Sequence, residues 1–222
     1  MPISARDHAI DLLWVLGTML LAIWLLRPVS IVFAGPVGLL IGTVVATLRL
    51  KGKGRTWRAV GVARPESPLA LALATVVVFV LVILLSNLAP VALTLTGLDA
   101  APPDVDQWEG LSGNLPYFLF RLLLAWVTSF GEEFIFRGLC ITGLIGVFGG
   151  TRVAVSLAVA VQACLFGYLH HATQGLSGAF AAGGSGLALG IGYVVFRRNL
   201  WPMVIVHVAL NTIAVTELFL GG

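Results

Sequence analysis

The chain has 222 residues, of which 59% are hydrophobic and only 10% charged, with a net charge of +3. A soluble domain carries roughly 25% charged residues, so most of this surface must face lipid instead of water. The apolar runs are continuous and not alternating, which excludes a lipid-facing β-barrel and predicts an all-α, polytopic membrane bundle.

The first apolar stretch, 9–26, follows Arg6 and is read as an uncleaved first span, because further spans follow it. Residues 29–48 form a second, uncharged span. Arg49, Lys51, Lys53, Arg55, Arg58 and Arg64 then crowd one loop, and basic loops stay cytoplasmic. That loop lacks aromatic interleaving, and orientation alone explains it, so a nucleic-acid partner is not expected. A third uncharged run, 67–98, leads into an acidic loop with Asp99, Asp104, Asp106 and Glu109, placed outside. The natural division is therefore 1–100 as N-terminal spanning helices, 101–114 as a polar external loop, and 115–222 as the core that carries chemistry.

Residues 115–148 are too long for one upright span at ~1.5 Å per residue, about 50 Å. A helix broken near Gly131 or two segments with a partial re-entry would accommodate them. Spans at 153–169, 174–196 and 200–220 complete the bundle, with Arg152 and Arg197–Arg198 as further inner turns. The reading is a multi-pass cell-membrane protein with a cytoplasmic N-terminus and about seven or eight transmembrane helices. Cys140 and Cys164 fall in spans and imply no disulfide framework. The glycines between Gly175 and Gly192 suit close helix packing, since no basic residue or preceding strand makes them a phosphate loop.

Ionisable groups inside lipid are costly, ~2.5–3.5 kcal/mol each even on a mild scale, and therefore mark function by default. Glu133 and Arg137 are four apart, in the favourable acid-first order, whereas Glu132 points about 100° away. This spacing separates a supporting Glu133–Arg137 pair from a free Glu132. Phe166 precedes His170 by one turn on the same face, and His171 reads as interfacial. His207 and Asn211 share one face of the last helix, which Pro202 opens.

Glu132-Glu133-x-x-x-Arg137, Phe166-x-x-x-His170 and His207-x-x-x-Asn211, in that order, resemble the three-motif signature of the CPBP intramembrane proteases. This is the CaaX prenyl endopeptidase and bacteriocin-processing family, also called Abi. Phe136-Arg137-Gly138 and Asn199-Leu200-Trp201-Pro202 extend the likeness, which covers about 115–212. The resemblance implies hydrolysis of a peptide bond in a membrane-embedded or lipid-anchored substrate. It makes Glu132 the general base, with His170 assisting. His207 and Asn211 would hold the oxyanion, and Glu133, Arg137 and Phe166 would support the site. No metal is favoured, because Asn211 is a poor zinc ligand and no His-Glu-x-x-His is present. In a zinc version of the same site, Glu132, His170 and His207 would be the ligands. A proton-coupled transporter and a non-catalytic membrane scaffold are the rival classes. The substrate, and any need for prenylation, are not legible.

Overall fold

The computed structural model describes residues 3–97 and 108–221. Asp99, Asp104 and Asp106 of the expected acidic loop lie outside the described residues. Among the described residues the chain is helical and has no strand. Its helices are α1 (Ala5–Leu26), α2 (Ile31–Gly52), α3 (Pro68–Thr96), α4 (Leu115–Glu132), α5 (Thr142–Val147), α6 (Arg152–Val195) and α7 (Trp201–Leu220). A π-helical stretch, Glu133–Ile141, joins α4 to α5, and a 3-10 turn, Trp57–Val60, lies between α2 and α3. Five helices (α1, α2, α3, α6 and α7) are long and apolar enough to cross a membrane. Large apolar side chains on their outer faces, such as Trp24, Leu84 and Val153, are exposed, as a lipid-facing surface requires.

The 115–148 segment corrects the expectation of a break near Gly131. Gly131 stays helical, and the chain runs on through Glu132 into the wider π winding without re-entry. Every residue from Glu133 to Ile141 is buried, so this stretch is the axis of the bundle. A π segment is rare and marks functional sites, because it re-aims side chains that a regular helix would hold elsewhere.

Helix α6 is two antiparallel arms. Gly175 leaves helical geometry at φ 68° and ψ −167°, a conformation open to glycine, and the chain reverses there. The arms then pack through small residues. A Cβ on Gly167 would approach the Ala179 carbonyl at 2.6 Å, and one on Gly186 would approach the Cα of Ala163 at 3.2 Å. The expected packing role of these glycines is thus visible pair by pair. The second arm also packs on α3, where Gly192 sits 2.6 Å (as a built Cβ) from Val78 and Gly184 lies against the Leu85 backbone.

The loop after α2 reaches into the bundle at Val60 and Gly61. Trp57 donates its indole N–H to Thr47 (3.0 Å) and packs on Phe130 and Phe134 at 5.9 and 5.1 Å. Val60 is buried, and its carbonyl abuts Gly138. Leu200 packs at the same place and donates its backbone N–H to Gly61 (2.9 Å), so α7 starts level with Gly138. Val147, at the end of α5, is nine residues further on, about 13 Å nearer the end of the bundle where α1 starts. This offset explains how His207, soon after the start of α7, shares a level with groups far along α6.

Gly184→Ala is expected to lower stability by about 1–3 kcal/mol, because the new methyl meets α3 backbone, which cannot yield as a side chain does. Gly17→Ala meets nothing within 4 Å and should hold or raise stability by up to ~1 kcal/mol. Thermal melting of both variants in detergent checks the contrast.

Candidate active site

Helices α4 and α7 run antiparallel and hold the site between them. Phe118 stacks on Phe219 (4.5 Å), Trp126 donates to Thr212 (2.9 Å), and Asn211 donates to Ser129 (2.9 Å). The next rung of this ladder is Glu133 against His207, Oε1 to Nδ1, at 2.8 Å. The register of two helices therefore fixes which acid meets which base.

Glu133 and Arg137 form the ion pair expected from their spacing, 2.9 Å apart and both wholly inaccessible. The guanidinium also lies over the Phe166 ring, 4.4 Å from its centroid. Oε2 of Glu133 and the Arg137 nitrogens make no well-aligned hydrogen bond among the described residues. The pair is thus held by charge and by the Phe166 face, and less by directional bonds. Glu132 behaves differently: its side chain is 18% exposed, and Oε2 faces His207 Nε2 at 3.6 Å.

The His207 tautomer follows from its neighbours. A carboxylate only accepts, so Nδ1 donates its proton to Glu133. Nε2 is then the atom presented to Glu132. His170 is fixed in the same way, because the Phe166 carbonyl only accepts. Nδ1 of His170 therefore donates to that carbonyl at 2.8 Å and leaves Nε2 as the ring's other polar atom. Phe166 lies between the two histidines, with ring centroids 4.6 Å from His170 and 6.3 Å from His207, and meets Phe136 edge-on at 5.2 Å.

A cavity of about 550 Å³ connects these groups and is lined by Glu132, His170, His207 and Asn211 together. Met19, Ile23, Leu39, Val215 and Leu218 supply much of the apolar wall. Glu133, Arg137 and Phe166 lie behind the wall. The two residues named as reacting and the two named for the oxyanion thus share one cavity, while Glu133 and Phe166, from outside its lining, bond the two histidines. His171 is exposed. Among the described residues, no three His, Cys, Asp or Glu side chains group as a metal site.

Three participants were not singled out from sequence. Ser129 donates to the Ala125 carbonyl (2.7 Å) and accepts from Asn211, so it orients the amide. Arg121 is buried, lies 3.9 Å over Trp108, donates to the Tyr117 hydroxyl (3.0 Å) and lines the cavity. Arg27 lines it too and donates to the Ala172 carbonyl at 3.3 Å. The position of Arg121 within an apolar helix was a signal of the same kind as Glu132. Ser129, one turn before Glu133, carried none.

Residues 113–213 match the family model described as Type II CAAX prenyl endopeptidase Rce1-like. The matched region contains α4, the π stretch, both arms of α6 and the part of α7 that bears His207 and Asn211. It agrees with the family likeness drawn from the three motifs. No curated protein and no solved structure matches the chain.

Removing one partner of the buried pair strands the other in a dry interior. Glu133→Gln or Arg137→Met alone is expected to cost about 3–5 kcal/mol. The double variant should recover a large part of that loss, because neither charge is then left alone. A double-mutant cycle on melting temperature in detergent checks this, and additive losses would refute the coupling.

Proposed function

We propose that this protein is an intramembrane endopeptidase that hydrolyses a peptide bond of a membrane-associated substrate, with Glu132 as general base. The observation that carries the reading is the shared cavity. Glu132 and His207 face each other there, with His170 and Asn211 on the same wall, inside the Rce1-like region. A water between Glu132 and the substrate carbonyl loses its proton to the Glu132 carboxylate as its oxygen attacks. Negative charge grows on the carbonyl oxygen. The Asn211 amide has a second N–H, beyond the one given to Ser129, to offer it. His207 offers Nε2–H when it carries both ring protons. The proton held by Glu132 then passes to the leaving amine, with the cavity-facing nitrogen of His170 assisting.

With Glu132 and Glu133 ionised, Arg137 and a doubly protonated His207 bring the cluster to neutrality, which suits a low-dielectric site. The mechanism is proposed as metal-independent. Seven crossings are likewise proposed, with a cytoplasmic N-terminus. The two α6 arms (152–174 and 176–195) each have about the length a span needs, and the longer run from α4 to α5 crosses once by tilting or by projecting beyond the hydrocarbon. The apolar wall of the cavity fits a peptide bearing an apolar or lipid-modified end.

Glu132→Gln is expected to reduce kcat by about 10²–10⁴-fold with an unchanged melting temperature. Asn211→Ala should cost roughly 10²–10³-fold, as loss of one oxyanion donor does. The assay is cleavage of quenched membrane peptides by purified protein, with prenylated and plain versions compared and a chelator in parallel. Equal cleavage by wild type and Glu132→Gln would sink the proposed base, and loss of activity on chelation would overturn the metal-free mechanism.

A further inference from the structure

A second cleft lies away from the proposed active site, where the α2–α3 connection meets the α6–α7 connection. It encloses about 520 Å³, and Arg58, Arg64, Arg197 and Arg198 all line it. Its one lining acid, Glu66, pairs with Arg197, which leaves the other three arginines as an excess of positive charge.

The cleft is built rather than incidental. Arg197 and Arg198 both adopt left-handed backbone, φ 55° and 58°, which non-glycine residues adopt uncommonly and rarely in succession. They are kept there by the Arg198 N–H on the Tyr193 carbonyl (2.7 Å) and the Leu200 N–H on the Gly61 carbonyl (2.9 Å). The Arg198 carbonyl is pressed against Gly61, itself at φ 97°, a place with no room for a Cβ. Two connections are thereby locked together with their arginines around one space. Glycine would satisfy the turn at 197 and 198 without strain, so the arginines are not required by the backbone.

The surroundings select the ligand. The first turns of α3 and α7 border the cleft through Ala70, Leu71 and Pro202, and helix N-termini favour anions. Towards the bilayer the cleft continues along Leu71, Ala74 and Val195, in the seam between α3 and the second arm of α6. Val195 is exposed there on the lipid side. A ligand with an anionic head and an apolar tail fits both parts at once.

We propose that this cleft is a binding site for the phosphate of an anionic phospholipid, with the headgroup among Arg58, Arg64 and Arg198 and an acyl chain along Leu71, Ala74 and Val195. The site is independent of the proteolytic reading. Its test uses the full chain in neutral detergent, titrated with mixed micelles of phosphatidylglycerol or phosphatidylcholine, with affinity read by thermophoresis. Saturable binding of phosphatidylglycerol, at least about tenfold tighter than phosphatidylcholine and weakened by roughly 0.5 M salt, is expected. Arg198→Gly removes charge while relieving the left-handed backbone, so it should melt no lower than wild type yet bind at least about fivefold more weakly. Arg58→Gln/Arg64→Gln should weaken binding further. Arg152→Gln, at the start of α6 and outside the cleft, should leave it unchanged. Equal affinity for the two lipids, or full affinity in Arg198→Gly, would overturn the site. Displacement of the lipid by millimolar inorganic phosphate would assign the cleft to a free anion and overturn the lipid.

Discussion

The buried contact between Glu133, Arg137 and His207 sets the terms for the rest of the bundle. Two charges without access to water are tolerable only if their partners cannot drift, because a carboxylate that lost its partner would stand alone in a dry interior. Each neighbour of the pair is correspondingly fixed. Phe166 covers the guanidinium, the π winding buries both ends of the pair, and the α4–α7 ladder delivers His207 to the remaining face of Glu133. The geometry of Glu132 follows from this. One position earlier in the chain, it turns away from the buried pair and into the cavity, where it meets the other nitrogen of the same imidazole. A single histidine thus joins the acid that is locked to the acid that is available.

That arrangement needs helices whose starting levels are offset, and the dipping connections provide the offset. Val60 dips into the bundle, Trp57 lies across Phe130 and Phe134, and Leu200 is pinned to Gly61 beside Gly138. Helix α7 therefore begins well inside the level at which α5 ends, and His207 reaches Glu133 within two turns. The Gly175 reversal matters for the same reason. It lets the first arm of α6 carry Phe166 and His170 up to the cavity and sends the second arm back to the level of α7. His207 is six residues past the start of α7 and His170 eighteen past Arg152, so without the offset the two would lie at different depths.

What was legible in the sequence is what depends on local spacing. The i, i+4 relations of Glu133 with Arg137, Phe166 with His170, and His207 with Asn211 survive because one helical turn sets them, whichever way the helices pack. The apolar runs likewise announced helices in lipid. The rest depends on contacts between distant segments, or on winding that no residue type encodes. Nothing in Glu133-Phe134-Ile135-Phe136 distinguishes a π turn from an α turn, so a break was expected at Gly131, where the helix in fact continues. The basic loop was read for its charge alone, and charge gave no hint that Val60 would be buried against Gly138. Gly175 was one glycine among seven in its span, and only its left-handed φ separates it from those that merely let helices approach.

Charge placement across the molecule then acquires a simple logic. Of the thirteen Lys and Arg residues, only Arg27, Arg121 and Arg137 lie away from the face where α2 ends and α3, α6 and α7 begin. Arg137 neutralises the buried acid, and the other two line the cavity. The remaining basic residues share a face that also carries Asp7 and Asp11, and Asp11 is paired with Arg49 and Lys53 at 2.8 and 2.6 Å. Some of that positive charge is therefore spent on holding α1 to α2. Of the arginines around the second cleft, Arg197 and Arg198 have locked backbones, and the cleft they line adjoins an apolar seam. A cation whose backbone is fixed beside the binding space needs less loop ordering when an anion arrives than one on a flexible loop. The locked turn at Arg197 and Arg198, adopted at a conformational cost that glycine would avoid, is the form such fixation takes here.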